Sequence, residues 1–161
     1  FYGCELAVDL LLEEPTGGLV GLVQDDETWI QAMSSFLVNR GIELPFTEIN
    51  RDIENTWGVK LEDYVKPVTL FTNVNTLGGD LDFQTRWLRR YGVEVHRAIA
   101  LIDRNPERMT ETPEEKIPLQ SVIHLPLPLY SPDDETMFQE FEYLPAIPKQ
   151  WKYINTFPLL S

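Results

Sequence analysis

Basic residues are scarce in this sequence of 161 residues, and cysteine is almost absent. There are 13 Lys and Arg against 26 Asp and Glu, which gives a formal net charge of −13 at pH 7. A field of that sign repels polyanions, so we expect neither nucleic acid nor an anionic membrane surface as a partner. The single cysteine, Cys4, excludes an internal disulfide and a cysteine-based zinc site. No apolar run approaches the ~18 residues of a membrane span, so no membrane insertion is expected.

The remaining composition is that of an ordinary globular protein. Hydrophobic residues make up 43% of the chain and charged residues 24%, enough for one domain with a core of its own. The sequence begins at Phe1, and we interpret it as a processed, truncated or partial chain whose targeting segment is out of view. We expect an intracellular protein of the cytoplasm or an organelle interior, such as a mitochondrial matrix or plastid stroma.

The first third of the chain alternates helical and extended patterns. Tyr2–Leu12 is typical of a short helix, and Leu19–Val23 of a short strand. A longer helix follows Asp25 and Asp26 and ends near Gly41, with apolar residues at helical spacing: Trp29, Ile30, Met33, Phe36 and Leu37. Two acids at a helix start are interpreted as N-cap and dipole partners rather than as a metal site.

A third helix is predicted immediately after this one. Thr47 is a suitable N-cap, Ile49, Ile53 and Trp57 recur every four residues, and Gly58 is a natural stop.

A strand, a glycine turn, a helix and a second strand then follow in order. Val68–Val74 is a buried strand, Asp80–Tyr91 a helix, and Val93–Ile102 a near-continuous apolar strand typical of a parallel sheet. Ile117–Leu125 is predicted to be a final strand after a charged loop at 103–116. The fold class is therefore α/β, a mainly parallel sheet flanked by helices. A strand that runs through a glycine turn into a helix is also how such proteins hold a phosphate.

Four segments between Val65 and Leu125 resemble the type I phosphoribosyltransferases, and among them the orotate branch. The first is the strand and turn Val68-Thr69-Leu70-Phe71-Thr72-Asn73-Val74-Asn75-Thr76-Leu77-Gly78-Gly79. The second is Leu88-Arg89-Arg90-Tyr91-Gly92-Val93-Glu94-Val95, the third Ala98-Ile99-Ala100-Leu101-Ile102-Asp103-Arg104, and Ile117–Leu125 resembles the last core strand. The resemblance implies the family's fold and transfer of ribose phosphate from phosphoribosyl diphosphate (PRPP).

The same resemblance implies a degenerate site. Residues 72, 73, 76 and 78–80 fall on the phosphate- and ribose-binding positions: Thr72, Asn73, Thr76, Gly78, Gly79 and Asp80. Thr72 and Asn73 stand where the family has two acids that organise magnesium-bound PRPP, and neither supplies negative charge. Asp80 stands where a threonine or serine is common, and we favour its carboxylate as the cap of the helix. The basic loop of active members is also missing between Leu19 and Lys66. No catalytic residue, metal or cofactor is expected.

Other candidate residues are interpreted as structural. His96 and His124 have no nearby nucleophile in a recognisable arrangement. Asp80 and Asp82 stand two apart on a helix and do not face each other. Phe83, Trp87 and Tyr91 form an aromatic row typical of a core or an interface.

The chain changes character at Pro126. Six of its twelve prolines and seven aromatic residues lie between there and the end. We predict an α/β domain over 1–125 and an extended arm over 126–161, which lies either on its own domain or on another subunit. Trp151, Tyr153 and Phe157 are the predicted partner-binding residues of this arm.

Two functions follow as hypotheses. The first is a non-catalytic phosphoribosyltransferase-like protein, a structural or assembly subunit whose partners are other protein subunits of a larger complex. The alternative is a nucleotide- or PRPP-binding enzyme or regulator of the orotate phosphoribosyltransferase type.

Overall fold

Helices and strands alternate along the part of the chain that the computed structural model describes, which is residues 2–22, 26–50, 55–58, 60, 64 and 66–127. The elements in chain order are α1 Tyr2–Leu12, β1 Leu19–Leu22, α2 Glu27–Asn39, β2 Phe46–Asn50, β3 Asn55–Gly58, β4 Val68–Asn75, α3 Gly79–Arg90, β5 Val95–Asp103 and β6 Leu119–His124. Within the described residues, the predicted strands and helices outside 47–58 are confirmed, with ends shifted by one or two residues.

The described strands form one sheet in the order β3-β2-β1-β4-β5-β6. β2, β1, β4, β5 and β6 are all parallel, and β3 pairs antiparallel with β2 at one edge. This confirms the predicted α/β class. β2 lies on one side of β1, and β4, which comes later in the chain, lies on the other side of β1. The carboxyl ends of β1 and β4 are therefore the topological switch point, where α/β proteins bind their ligands.

Each face of the sheet is covered by helices. Alternate strand residues point to opposite faces, so Leu19 belongs to one core cluster and Val20 to the other. The cluster of Leu19 includes Phe71 and Ile99 and is closed by residues of α1 and α2. The cluster of Val20 includes Leu70 and is closed by α3. Each fully buried large apolar side chain contributes roughly 1.5–3 kcal/mol to stability.

Glycine follows the last turn of α2 and of α3. Gly41 and Gly92 have φ values of 74° and 76°, in the left-handed region. The next residue in each case bonds back to the helix, because the N–H of Ile42 donates to Leu37 O at 3.0 Å and that of Val93 to Leu88 O at 3.1 Å. These are Schellman terminations, in which glycine avoids the strain of a side chain at positive φ.

The helix predicted to start at Thr47 is wrong. Phe46–Asn50 and Asn55–Gly58 are strands that pair antiparallel, with Thr47 opposite Gly58. Thr47 is buried and its hydroxyl lies 2.9 Å from that of Tyr64, so it does not cap a helix. The spacing of four arose because two strands joined by a short connection each contributed apolar residues.

Residues 128–161 lie outside the described residues. The predicted arm, the domain boundary near 125 and the anchor residues Trp151, Tyr153 and Phe157 stay predictions. Within the described part of the chain, no helix combines the length and the apolar character needed to cross a membrane.

Candidate functional site

A cavity opens at the carboxyl end of β4, against the first turn of α3. Its volume is about 290 Å³, and it is lined by Thr72, Val74, Asn75, Thr76, Leu77, Gly78, Gly79, Asp80 and Leu81. Five of the six site residues predicted from the sequence therefore share one cavity. The sixth, Asn73, is adjacent in the chain but does not line the cavity.

The two glycines of the turn have different physical roles. Gly78 has a φ of 77°, and a Cβ at this position would lie 2.4 Å from Cδ of Pro113. Conformation and packing both require glycine there. Gly79 has no such requirement, since nothing lies within 4 Å of a Cβ built on it. Gly79 thus leaves open space beside the helix N-terminus, where backbone can approach a ligand closely.

Gly78 also occupies the N-cap position of α3, which corrects the prediction that Asp80 caps the helix. Asp80 lies within the first turn and is exposed. From this position its carboxylate interacts favourably with the helix dipole. It also gives the cavity wall a negative charge. Lys, Arg and His do not occur among the described residues that line the cavity.

The turn is held from below by the ends of β4 and β5. The side-chain amide of Asn75 donates to Oδ1 of Asp103 at 3.0 Å, and both residues are buried. The Asn105 side chain donates to the carbonyl of Thr76 at 2.9 Å. Asp103 also accepts the backbone N–H groups of Asn105 and Met109 at 3.2 and 3.0 Å. The turn therefore has a fixed conformation without any ligand.

The loop between β5 and β6 is fastened to α3. Oδ2 and Oδ1 of Asp82, which is buried, accept the N–H groups of Glu114 and Glu115 at 3.1 and 2.9 Å. Arg86 pairs with Glu114, and Arg89 pairs with Glu115. These two cations are thus engaged with acids of the same chain on the side of the helix beyond its first turn.

Thr72 and Asn73, which the sequence resemblance places at the positions of the family's acidic pair, both make hydrogen bonds within the protein. The Thr72 hydroxyl donates to the carbonyl of Val74 at 3.3 Å, and Thr72 is buried. The backbone N–H of Asn73 donates to Oδ1 of Asp26 at 2.7 Å. Asp26 was expected to cap α2; it does stand at the N-cap position, but it makes no side-chain cap bond. Its predicted neighbour in that role, Asp25, lies outside the described residues.

Acidic groups gather on the β1 and β2 side of the switch point. Asp26 and Glu48 are buried, and Glu27 begins α2. Burial raises the pKa of the Glu48 carboxyl, and the negative charge of Glu27 adds to the rise. The carboxylate of Asp26, which lies at the ends of β1 and β4, disfavours an anionic ligand on this side of the site. Among the described residues, no group of three or more His, Cys, Asp or Glu side chains is placed to hold a metal ion.

The remaining candidates have structural surroundings. His96 Nδ1 lies 3.0 Å from the carbonyl of Val68, and His124 Nε2 lies 2.9 Å from that of Asn105. Cys4 is buried in a core, and burial raises the pKa of its thiol, so it is a poor nucleophile. In the aromatic row, Trp87 is buried and stacks at a tilt on Tyr91, with ring centroids 4.5 Å apart.

Solved structures of phosphoribosyltransferases have the same fold. The orotate phosphoribosyltransferase of Francisella tularensis superposes with a TM-score of 0.61 at 16% identity, over 76% of this chain and 65% of that one. The Mycobacterium tuberculosis enzyme in complex with PRPP gives 0.61 at 16% identity, over 76% and 71%. The adenine enzyme of Thermoanaerobacter pseudethanolicus gives 0.56 at 12% identity, over 77% and 79%. No family model and no curated protein matches the sequence.

The fold is thus that of the type I phosphoribosyltransferases. More particularly, it is an orotate phosphoribosyltransferase-like fold, as the sequence motifs indicated. The chain spans slightly less than two thirds of the Francisella enzyme, 65% of its length. Sequence identities this low show a shared fold only. The chemistry of the site has to be argued from its own residues.

Three residues that organise the site were not recognised from the sequence as doing so: Asp26, Asn75 and Asp82. Each acts on a partner more than 25 positions away, Asn73, Asp103 and Glu114 respectively. No local pattern carries such a contact. The position of Asp103 at the end of an apolar strand was the one usable signal, because strand ends in α/β folds face the ligand.

Proposed function

We propose that this protein is a non-catalytic phosphoribosyltransferase-like protein that serves as a structural or assembly subunit of a larger protein complex. The observation that carries the first half is the charge of the site. The cavity at the end of β4 has Asp80 in its wall and no cation among its described lining residues. Buried Asp26 lies at the adjoining strand ends.

A diphosphate ester has the wrong charge for these surroundings. A carboxylate about 4 Å from a phosphate raises the free energy by on the order of 1–4 kcal/mol at effective dielectric constants of 80–20. Active enzymes offset the charge of PRPP with magnesium and basic side chains, whereas Thr72 and Asn73 supply neither a metal ligand of negative charge nor a cation. The arrangement supports a protein that no longer transfers ribose phosphate.

The second half of the proposal is supported by apolar surface. Val74, Leu77, Ile123 and Leu125 are 38%, 62%, 45% and 48% exposed. Val74 pairs with Ile102 across β4 and β5, and Ile102 pairs with Ile123 across β5 and β6. Apolar side chains therefore cross three strands near their carboxyl ends. Together with the aromatic residues of the C-terminal segment, they offer the side chains that protein interfaces favour.

One observation favours the alternative of a nucleotide- or PRPP-binding regulator. Neither the backbone conformation nor the packing at position 79 requires glycine. Gly79 nevertheless keeps open the space beside the helix N-terminus. A cavity of about 290 Å³ remains there. An uncharged, hydroxyl-rich part of a nucleotide suits the hydroxyl and amide groups of the wall.

Calorimetric titration of the full chain with Mg-PRPP, orotidine monophosphate and inorganic phosphate tests the first half. We expect no heat of binding at millimolar ligand. Micromolar affinity for Mg-PRPP would reject the proposal in favour of the alternative.

Native mass measurement of complexes isolated with the full chain tests the second half. The wild type is compared with a variant carrying Trp151→Ala, Tyr153→Ala and Phe157→Ala, and with Tyr2→Ala as the control. Tyr2 is 74% exposed on α1, so its replacement removes an exposed aromatic ring elsewhere. We expect the triple variant alone to lose the partner subunits. A complex of unchanged mass would contradict the role of these anchors.

A further inference from the structure

The strands β1 and β4 run side by side for only a short distance. Their register pairs are Leu19 with Thr69 and Val20 with Leu70, although β4 continues to Asn75. Beyond these register pairs, the next N–H groups between the two strands belong to Leu22 on β1 and Asn73 on β4. Both lie at the switch point, where backbone donors of an α/β sheet commonly meet a ligand.

A single side chain takes both donors. Oδ2 of Asp26 accepts the N–H of Leu22 at 2.9 Å, and Oδ1 accepts the N–H of Asn73 at 2.7 Å. Asp26 has a relative exposure of 0%. One carboxylate thus bridges the two strands, with an oxygen on each, in the way that a bound oxyanion bridges two backbone donors.

The neighbouring residue makes room for this carboxylate. A Cβ on Gly21 would lie 3.0 Å from Cβ and 3.2 Å from Oδ2 of Asp26, and 2.4 Å from Cδ1 of Ile30. Any larger residue at position 21 displaces either the carboxylate or α2. The approach of Asp26 to the strand ends is therefore built into the packing of β1.

We propose that Asp26 is a specificity-determining residue that acts as a built-in anion at the switch point. Its carboxylate accepts the hydrogen bonds of the Leu22 and Asn73 N–H groups. A phosphate or diphosphate group is therefore excluded from this position. This inference rests on the proposed non-catalytic function, because both attribute the loss of PRPP chemistry to the charge of the site.

The test is an NMR titration of the full chain with inorganic pyrophosphate as the probe, following four backbone amides. In the wild type, the amides of Leu22 and Asn73 are expected not to move. Saturable shifts of these two amides in the wild type would overturn the proposal. This outcome is readable on the native protein, whatever the variants do.

The variant pair is Asp26→Ala and Glu27→Ala. Each removes one negative charge at neighbouring positions, but Glu27 is exposed and its carboxylate accepts a hydrogen bond from Gln31 of the same helix. Pyrophosphate is expected to bind Asp26→Ala roughly tenfold or more tightly than Glu27→Ala, as removal of a carboxylate within ~4 Å implies. The shifts should fall on Leu22 and Asn73. Equal affinities of the two variants would show that Asp26 only ties the strands together, and would overturn the proposal.

A stability measurement separates an anion position from a purely structural tie. Acetate replaces a missing carboxylate, so it should raise the Tm of Asp26→Ala relative to chloride at the same ionic strength. The Tm of Glu27→Ala should respond to the two salts alike. Identical responses of both variants would count against the anion position.

The remaining two amides, those of Gly79 and Asp80, distinguish a failure of this inference from a failure of the proposed function. Pyrophosphate or Mg-PRPP shifts confined to them in the wild type would refute the non-catalytic reading and leave the role of Asp26 intact. Pyrophosphate shifts at Leu22 and Asn73 would overturn the role of Asp26, and the non-catalytic function would then be judged by the calorimetric titration with Mg-PRPP.

Discussion

The side-chain amide of Asn75 donates a hydrogen bond to Oδ1 of Asp103 at 3.0 Å, and this contact joins the ends of β4 and β5 beneath the glycine turn. The two strand-end residues are also in register with each other. Because the contact is buried, it is shielded from competition with water and supports the turn above it.

Asp103→Ala should lower the free energy of unfolding by about 3 kcal/mol. The carboxylate accepts three N–H donors, from Asn75, Asn105 and Met109. Truncation removes this acceptor from the buried Asn75 amide and from the partly buried N–H groups of Asn105 and Met109. Urea denaturation followed by circular dichroism measures the change. Glu107→Ala is the matched control, since Glu107 is exposed in the same loop, and its effect should stay within about 0.5 kcal/mol. Equal effects of the two variants would contradict the assigned role.

Alanine at positions 78 and 79 should have opposite effects. Gly78→Ala places a Cβ 2.4 Å from Pro113 at a φ of 77°, so a loss of roughly 2 kcal/mol or more is expected. Gly79→Ala meets no atom within 4 Å and begins a helix, so it should be neutral or stabilise by up to about 1 kcal/mol. Thermal unfolding of the two variants checks both signs. A Gly79→Ala variant as unstable as Gly78→Ala would refute the distinction.

Asp82→Ala should release the loop between β5 and β6. The variant loses the acceptors of the Glu114 and Glu115 N–H groups, for an expected loss of roughly 2 kcal/mol. Hydrogen exchange of those two amides should accelerate more than that of the β4 amides. Asp80→Ala is the control on the same helix turn, and a loss of only about 0.3–1 kcal/mol is expected from the helix dipole. Unchanged exchange at Glu114 and Glu115 would show that Asp82 does not hold the loop.

Glu48 should make the protein less stable as the pH rises. Burial, with a contribution from Glu27, raises the folded-state pKa of Glu48. The folded state then holds the proton more tightly than the unfolded state does, so stability is lost as the pH rises from the ordinary pKa through the folded one. Glu48→Gln should therefore be more stable than the wild type at about pH 7, with a smaller difference near pH 4. Urea denaturation at both pH values tests this.

A Glu107→Gln variant is the control for that comparison, because its side chain is exposed. Its stability should follow the pH dependence of the wild type. If Glu48→Gln does so as well, the buried carboxyl is not the source of the pH dependence.

Restoring three residues should not restore catalysis. The variant Thr72→Asp, Asn73→Asp, Asp80→Thr regains the acidic pair and the hydroxyl residue beside the phosphate position. The cavity still has no described cation in its lining, and Asp26 still occupies the switch point. Orotate transfer from Mg-PRPP should stay at the background rate in a variant shown to be folded by circular dichroism. Measurable transfer would reject the proposed loss of function.

The sequence patterns that indicate buried residues were sufficient to predict most of the fold. Apolar spacing located α2, and its glycine stop at Gly41 was placed correctly, because helix periodicity and the left-handed C′ residue are local properties of the chain. The same local reasoning failed at Thr47. A spacing of four fits a helix, but it also fits two paired strands, and only the pairing of β2 with β1 and of β3 with β2 decides between them.

The site divides along the same line. The sequence by itself determined the glycine turn, the missing acidic pair and the negative charge, since these are properties of residues in a known order. The tertiary structure alone decided that the Asp26 carboxylate accepts a hydrogen bond from Asn73 instead of capping its own helix. It also decided that the Asp82 carboxylate accepts one from a loop more than 30 positions away. A buried carboxylate must find donors wherever the fold brings them. Hydrogen bonds between distant segments leave no period in the sequence, so only the folded chain shows them.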